Sequence, residues 1–307
     1  MMRIVVLAGG VGGARLVRGL AGLDRHIETT VVGNVGDDER VYGLHVSPDL
    51  DTIVYTVGGL EGPSGWGRTA DTWRTMDELA RFDVDTAFRI GDLDLATNLY
   101  RTTQLAEGVG LAAATEAIRN SFGVGIRLLP ASEDPVRTRV QTVDGSWLSF
   151  QEYFVLRGHR DRLATVEYAG ALQARPGPGV IQAIEAADVV VIAPSNPVLS
   201  IHPILAVPGV RAAVRGSARV VAVSPLFGGK ALKGPAASVL ADLGYPEGNR
   251  GILAAYDGLI HDLVVDLEDS ADIVELAQPG LRIHALDTRM PDLAASTRFS
   301  LELLEAL

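Results

Sequence analysis

Residues 3–8 run Arg-Ile-Val-Val-Leu-Ala, apolar and β-branched almost without a break. That is the pattern of a strand covered on both faces, as in a parallel sheet. From residue 13 to residue 23 the spacing turns helical, with Leu16, Val17, Leu20 and Leu23 recurring on one face. Residues 29–33 read as a second strand. Strand, helix and strand make a βαβ unit with two unusual loops at its strand C-terminal ends, Gly9-Gly10-Val11-Gly12-Gly13 and Asn34-Val35-Gly36-Asp37-Asp38. Ligands gather at that edge of an open α/β sheet.

Residues 49–82 are mostly helical in pattern, with a glycine-rich break at 58–67 and a helix over 69–82 capped near Thr69. Helices are predicted over 95–105 and 111–122. The character then changes. Residues 138–143 alternate, Asp144-Gly145 is a hairpin turn signal, and 147–155 alternate again, which predicts an antiparallel hairpin. The α/β pattern returns with a helix at 179–187 and strands at 188–193, 219–223 and 283–287, before a C-terminal helix. The expected architecture is α/β: a mostly parallel sheet with helices on both faces, built from 1–100 and 170–307. A smaller helical and β-hairpin insertion spans 101–169.

Composition changes this picture little. The chain has 307 residues, 47% hydrophobic and 21% charged, ample for a full core. A formal charge of −11 with no basic stretch argues against a nucleic-acid partner. An anionic small substrate remains compatible with it, given a glycine loop, a metal and a few arginines. There are no cysteines, hence no disulfide, thiolate metal site or thiol nucleophile. The apolar run at 4–8 is shorter than a signal-peptide core, and no stretch approaches the roughly 18 apolar residues of a membrane span. The expectation is a soluble, cytoplasmic protein without a membrane partner.

The glycine loop lacks the Gly-Lys-Ser/Thr of a P-loop and the spacing of a dinucleotide fingerprint. It is either a tight strand–helix connection or a phosphate cradle, and Arg15, one turn on, favours an anion. Asp37, Asp38, Asp49 and Asp51 lie in one short segment after a strand. Singly each reads as a turn or cap residue. As a set they suit Mg²⁺, which takes one or two carboxylates plus phosphates and water, with one aspartate from each pair. Ser195-Asn196-Pro197 follows another strand and reads equally as a helix cap or a nucleotide contact. Gly228-Gly229-Lys230 and Lys233 either cradle phosphate or start a helix. His45, His159, His202, His261 and His284 show no metal-like spacing.

Together these segments resemble the 2-phospho-L-lactate transferase family of deazaflavin coenzyme biosynthesis. The resemblance spans nearly the whole chain: LAGGVGGARLVRGL (7–20), NVGDD (34–38), SPDLDT (47–52), GWGRTADTW (65–73), RLLPASEDP (127–135), FQEYFV (150–155), APSNPVLSI (193–201), VSPLFGGKALKGPA (223–236) and ALDTRM (285–290). It implies a Rossmann-like core, a homodimer and need for Mg²⁺. The implied reaction moves a phospholactate or phosphoenolpyruvate unit from a guanosine-diphosphate-linked donor to the ribityl hydroxyl of the deazaflavin FO, releasing GMP. By the same resemblance, Asp37 and Asp51 are the metal-associated, catalytic carboxylates, with Asp51 near the attacking hydroxyl. Gly9, Gly10, Gly12, Gly13, Arg15, Asp49, Asp92, Ser195, Asn196 and Pro197 are the implied substrate contacts.

One departure stands out. The family has Gly-Asp-Arg-Asp followed by a helical His, where this chain has Gly91-Asp92-Leu93-Asp94 and Asn98. A leucine cannot replace a guanidinium, so Arg89 or Arg101, near in sequence, is the expected substitute. Two rival readings remain at this stage. One is a sugar-phosphate nucleotidyltransferase, whose glycine signature residues 9–16 partly mimic. The other is a non-catalytic nucleotide-sugar-binding regulator of the gluconeogenesis-factor type.

Overall fold

The apolar runs form the centre of the molecule. A computed structural model describes residues 1–23, 27–232 and 234–307. Seven strands make one sheet: β1 (Met2–Ala8), β2 (Ile27–Gly33), β3 (Arg127–Pro130), β4 (Val189–Ile192), β5 (Val220–Val223), β6 (Asp262–Asp266) and β7 (Arg282–Leu286). Their spatial order is β7-β6-β5-β4-β1-β2-β3, and every neighbouring pair is parallel. This is the doubly wound, Rossmann-like order. Its direction reverses between β1 and β4, which opens a crevice at their C-terminal ends. Both faces of β1, β4 and β5 are buried, which is why these strands read as continuous apolar runs.

Helix α1 (Gly10–Ala21) starts at Gly10, not at residue 13, because the glycine loop itself supplies the first turn. It packs on α2 (Pro48–Val57) and on the C-terminal helix Leu293–Glu305. The helix expected over 69–82 is shorter: α3 spans Arg74–Ala80. The next two, α4 (Asp92–Ala106) and α5 (Leu111–Ser121), fall where periodicity placed them. A small satellite core of Val46, Met76 and Ile90 underlies this region.

Two differences lie within 101–169. Residues 127–130, inside the expected insertion, form β3 at the edge of the main sheet, with α5 packed on it. The second arm of the predicted hairpin is a strand only over Trp147–Ser149 and then winds into a π-helical turn, Glu152–Leu156. Arg137–Thr142 pairs on its other edge with Leu163–Ala169, giving a three-stranded antiparallel sheet. Among the described residues no single helix is long and apolar enough to cross a membrane.

Candidate active site

The crevice between β1 and β4 is pinned by its own loops. Ser195 Oγ donates to the Gly9 carbonyl at 2.7 Å and accepts from the Gly9 N–H at 3.3 Å. A Cβ on Gly12 would stand 2.3 Å from the Pro194 carbonyl oxygen, so the two loops touch where only glycine fits. Gly12→Ala should therefore destabilise the protein by about 1–3 kcal/mol, read as a lower denaturant midpoint. Gly13→Ala meets side-chain atoms only, the Ser195 hydroxyl at 2.9 Å and the Ala8 Cβ at 3.1 Å, and should be milder. Equal effects would mean that the backbone contact is not the constraint.

Gly10, at φ +66°, is the first residue of α1 and donates its free N–H to Asp49 Oδ1 at 2.7 Å. Asp49 heads α2 and carries one side of a buried carboxyl pair; Asp37 carries the other. Asn34, fully buried at the end of β2, holds both: its Nδ2 donates at 2.9 Å to Asp37 Oδ1 and to Asp49 Oδ2, while its Oδ1 accepts from Gly36 N at 2.8 Å. Burial, then the Asp49 charge, holds the Asp37 carboxyl well above the usual range. Asp49 is pushed up to about 6, chiefly by burial. The remaining aspartate of the loop, Asp38, meets His45 Nε2 and Ser47 Oγ, each at 2.9 Å, and its Oδ1 is buried without a partner.

Asp51 lies two residues further along α2, on the side that meets α4. Asp94, Asn98 and Arg101 share one face of α4, spaced by helical turns, and meet Asp51 and Tyr55 on α2. Arg101, 1% exposed, bonds Asp51 Oδ1 through Nη2 and Asn98 Oδ1 through Nη1 at 2.8 Å. Tyr55 donates to Asp94 Oδ1 at 2.8 Å. Burial raises Asp51 while Arg101 opposes it. Asp94 is raised to about 7 by burial and by Asp51.

The other expected site residues divide. Gly9, Gly10, Gly12, Arg15, Asp37, Asp49, Asp51, Ser195 and Asn196 line one cavity of about 1160 Å³; Gly13, Asp92 and Pro197 do not. Asp92 has a different task. Its carboxylate takes the N–H groups of Arg74 and Thr75 at 3.0 and 2.9 Å and the Thr72 hydroxyl, so it caps α3 and is held below its usual range by those bonds. Asp71 caps α4 in turn, accepting from Leu93 N and Asp94 N at 2.7 and 3.1 Å. This exchange of caps across two helices is invisible to local sequence reading.

Arg15 is neutralised by Glu61 at 2.6 Å, which also takes Arg18 at 3.2 Å. Asn196 serves as the cap. Its Oδ1 caps the turn Pro197–Ile201 by accepting from Val198 N and Leu199 N at 3.0 Å, and its Nδ2 is buried without a partner. Gly228-Gly229 is a hairpin turn at positive φ between Leu226–Phe227 and Lys230–Ala231, not a helix start, and its Gly229 N–H donates to Asp269 Oδ1 at 2.8 Å. Lys233 lies outside the described residues. Of the two arginines expected to stand in at Leu93, Arg101 is committed to Asp51, and Arg89 bonds Asp77 at 2.8 Å.

Opposite the carboxylates the cavity has an aromatic wall that the strand prediction missed. The π-helical turn brings Phe150 and Phe154 into a stack, ring centroids 5.2 Å apart and 16° between planes, with Trp66 edge-on to Phe154 at 5.8 Å. Their spacing of four residues, helical in period, was the available signal. Gln151 between them donates to the Asp37 carbonyl at 2.8 Å, tying the aromatic wall to the acidic loop. Phe227, Leu232 and Met290 add to the apolar lining.

A model of the family described as 2-phospho-L-lactate transferase CofD matches residues 4–291. The chain is 44% identical over 315 residues to a phosphoenolpyruvate transferase of Streptomyces griseus, covering 99% of each. It is 42% identical to the protein of that name from Streptomyces coelicolor, covering 99% of this chain and 97% of the other. With that of Mycolicibacterium smegmatis it shares 39%, over 98% of both. Among solved structures it is similar to a Bacillus halodurans protein of the UPF0052 family, at TM-scores of 0.67 and 0.65 in two determinations and 18% and 17% identity. Those structures cover 99% of this chain. At that identity the likeness is one of fold.

Proposed function

This chain belongs to the 2-phospho-L-lactate transferase family, and on that premise we propose that it moves a phosphoenolpyruvate unit from a guanosine-diphosphate-linked donor to the ribityl hydroxyl of FO. The single observation that carries the reading is the double character of one cavity. A glycine loop, buried carboxyls and the unpartnered Asn196 amide suit the diphosphate and its nucleoside, and the Phe150–Phe154–Trp66 wall suits a flat deazaflavin ring. The choice of enolpyruvate over lactate rests on the names of the relatives.

In the reaction the acceptor hydroxyl oxygen bonds the acid-bearing phosphorus, the diphosphate P–O bond breaks, and GMP leaves with that electron pair. Such a transfer needs positioning and charge stabilisation more than covalent help. The first turn of α1 offers N–H groups to phosphate oxygens. Asp51, oriented by Arg101 through one oxygen, accepts the hydroxyl proton on the other.

Mg²⁺ fits this donor set. Among the described residues no group of three or more His, Asp or Glu converges as a ligand cage, and Mg²⁺ bound with a phosphate substrate needs only one or two carboxylates. Asp37 and Asp49 are the pair that would hold it, rather than Asp37 and Asp51. They meet each other with their pKa values raised, the state that a divalent cation relieves, whereas Asp51 is already paired. When bound, the cation supplies charge to offset that on the phosphates. The homodimer implied by the resemblance is part of the same proposal.

The test is mass spectrometry of FO after incubation with the protein, Mg²⁺ and guanosine-diphosphate-linked donors carrying lactate, enolpyruvate or glycerate. The expected result is a phosphoenolpyruvyl adduct with matching GMP. Unchanged FO, in the presence of folded protein that binds GDP, would refute the reading.

A further inference from the structure

Three arginines line the cavity: Arg15, Arg68 and Arg89. Two are neutralised, Arg15 by Glu61 and Arg89 by Asp77. Arg68 differs. It has no carboxylate partner among the described residues, and its hydrogen bonding there is a single long contact, Nη1 to the Leu93 carbonyl at 3.4 Å. Its Nε is buried without a partner. The guanidinium lies against an edge-to-face pair of rings, 5.0 Å from the Phe122 centroid and 5.7 Å from that of Tyr55. Aromatic faces fix a cation without neutralising it. The acids that face this region are already committed: Asp94 to Tyr55, Asp71 to the start of α4, and Asp51 to Arg101.

A rigid, un-neutralised guanidinium inside a cavity of an otherwise acidic protein is prepared for an anion from outside the chain. Its height along α2 says which anion. Tyr55 stands one turn beyond Asp51 on the same helix face, so Arg68 lies past the carboxylates that flank the reacting phosphorus, on the side away from Asp49 and the glycine loop. An anionic oxygen group attached to the transferred unit would reach there.

We propose that Arg68 is a specificity-determining residue that pairs with the carboxylate of the acid being transferred. This rests on the transferase reading above and assigns one of its contacts. It also accounts for the leucine at position 93: the guanidinium at that turn arrives from the 65–73 segment and leans on the Leu93 carbonyl.

The experiment compares wild type, Arg68→Gln and Arg68→Lys in binding a guanosine-diphosphate-linked phosphoenolpyruvate donor and GDP, by calorimetry with Mg²⁺ and without FO. Melting curves confirm that each variant is folded. Wild type should bind the donor more tightly than GDP. Arg68→Gln should weaken donor binding by about 10- to 100-fold, the range of a lost charged hydrogen bond, and leave GDP binding unchanged. Arg68→Lys, with its charge but without the planar fork, should fall between. In turnover the donor KM should rise and the KM for FO should not. If Arg68→Gln binds donor as wild type does, or if the FO KM moves instead, the assignment is overturned. Wild type that does not distinguish the donor from GDP would overturn it too, whereas FO left unchanged by wild type would undo the transferase reading, so the two failures are separable.

Discussion

Asp37→Asn is expected to abolish most turnover and yet raise the thermal stability of the metal-free protein. The two effects have one cause. Asp37 and Asp49 are buried and share Asn34 as a donor, so burial raises both carboxyls above their unfolded values, and the Asp49 charge adds to it at Asp37. A carboxyl whose folded pKa is raised binds more protons when folded, so its penalty is absent at pH below the unfolded value. The penalty develops as pH rises towards the folded value, about 6 for Asp49, and is fully present above it. Asparagine at 37 imitates the protonated partner at every pH: its amide can donate to Asp49 while its oxygen keeps the bond from Asn34. Each ~1 kcal/mol gained moves the midpoint of a sizeable domain by about 2–4 °C, so a rise of a few degrees is expected at pH 8 and little at pH 5.

Activity should go the other way. With one carboxylate removed, Mg²⁺ loses half of its protein donors, and a fall in kcat/KM of about 10²–10³-fold matches the loss of one preorganised charge contact. The same argument predicts that millimolar Mg²⁺ raises the melting temperature of wild type at pH 8 and barely affects Asp37→Asn. Melting curves at two pH values, with and without Mg²⁺, read all of this apart from any assay. A destabilised Asp37→Asn at pH 8 would show that the carboxyl pair is not under strain, and the metal assignment would go with it.

What the sequence showed and what it hid follow from the range of the forces involved. β1, β4 and β5 were legible because strands covered on both faces must be apolar throughout. The glycine and aspartate loops were legible because their placement after strands is a topological rule. β3 escaped because four residues ending in Pro130, at a sheet edge, carry too little pattern. Asp92 was assigned to the substrate because its tie to α3 depends on how α3 and α4 lie together. The pairing of Asp51 with Arg101 and of Asp37 with Asp49 was hidden for the same reason: the spacing puts four acids in one segment, and only the contact of α2 with α4 on one side and with Asn34 on the other sorts them.

That packing supplies the second large effect. Arg101→Met should lower stability by about 3–5 kcal/mol, the usual result of removing one partner from a buried ion pair, or a fall of roughly 10 °C at the midpoint. Burial alone would lower the Arg101 pKa, yet the Asp51 charge outweighs it, so the guanidinium stays charged in the fold and Asp51 loses its buried partner once it is gone. Asn98→Ala removes one neutral acceptor from Arg101 and should cost only about 1 kcal/mol. The double variant Asp51→Asn/Arg101→Met removes both charges together and should recover much of the lost stability, but none of the activity, because the proton acceptor is absent. Chemical denaturation of the four proteins decides it. If Arg101→Met and the double variant unfold at the same midpoint, the ion pair is not what holds α2 to α4. The loss would then belong to the arginine's packed stem, and Asp51 would need another source of its orientation.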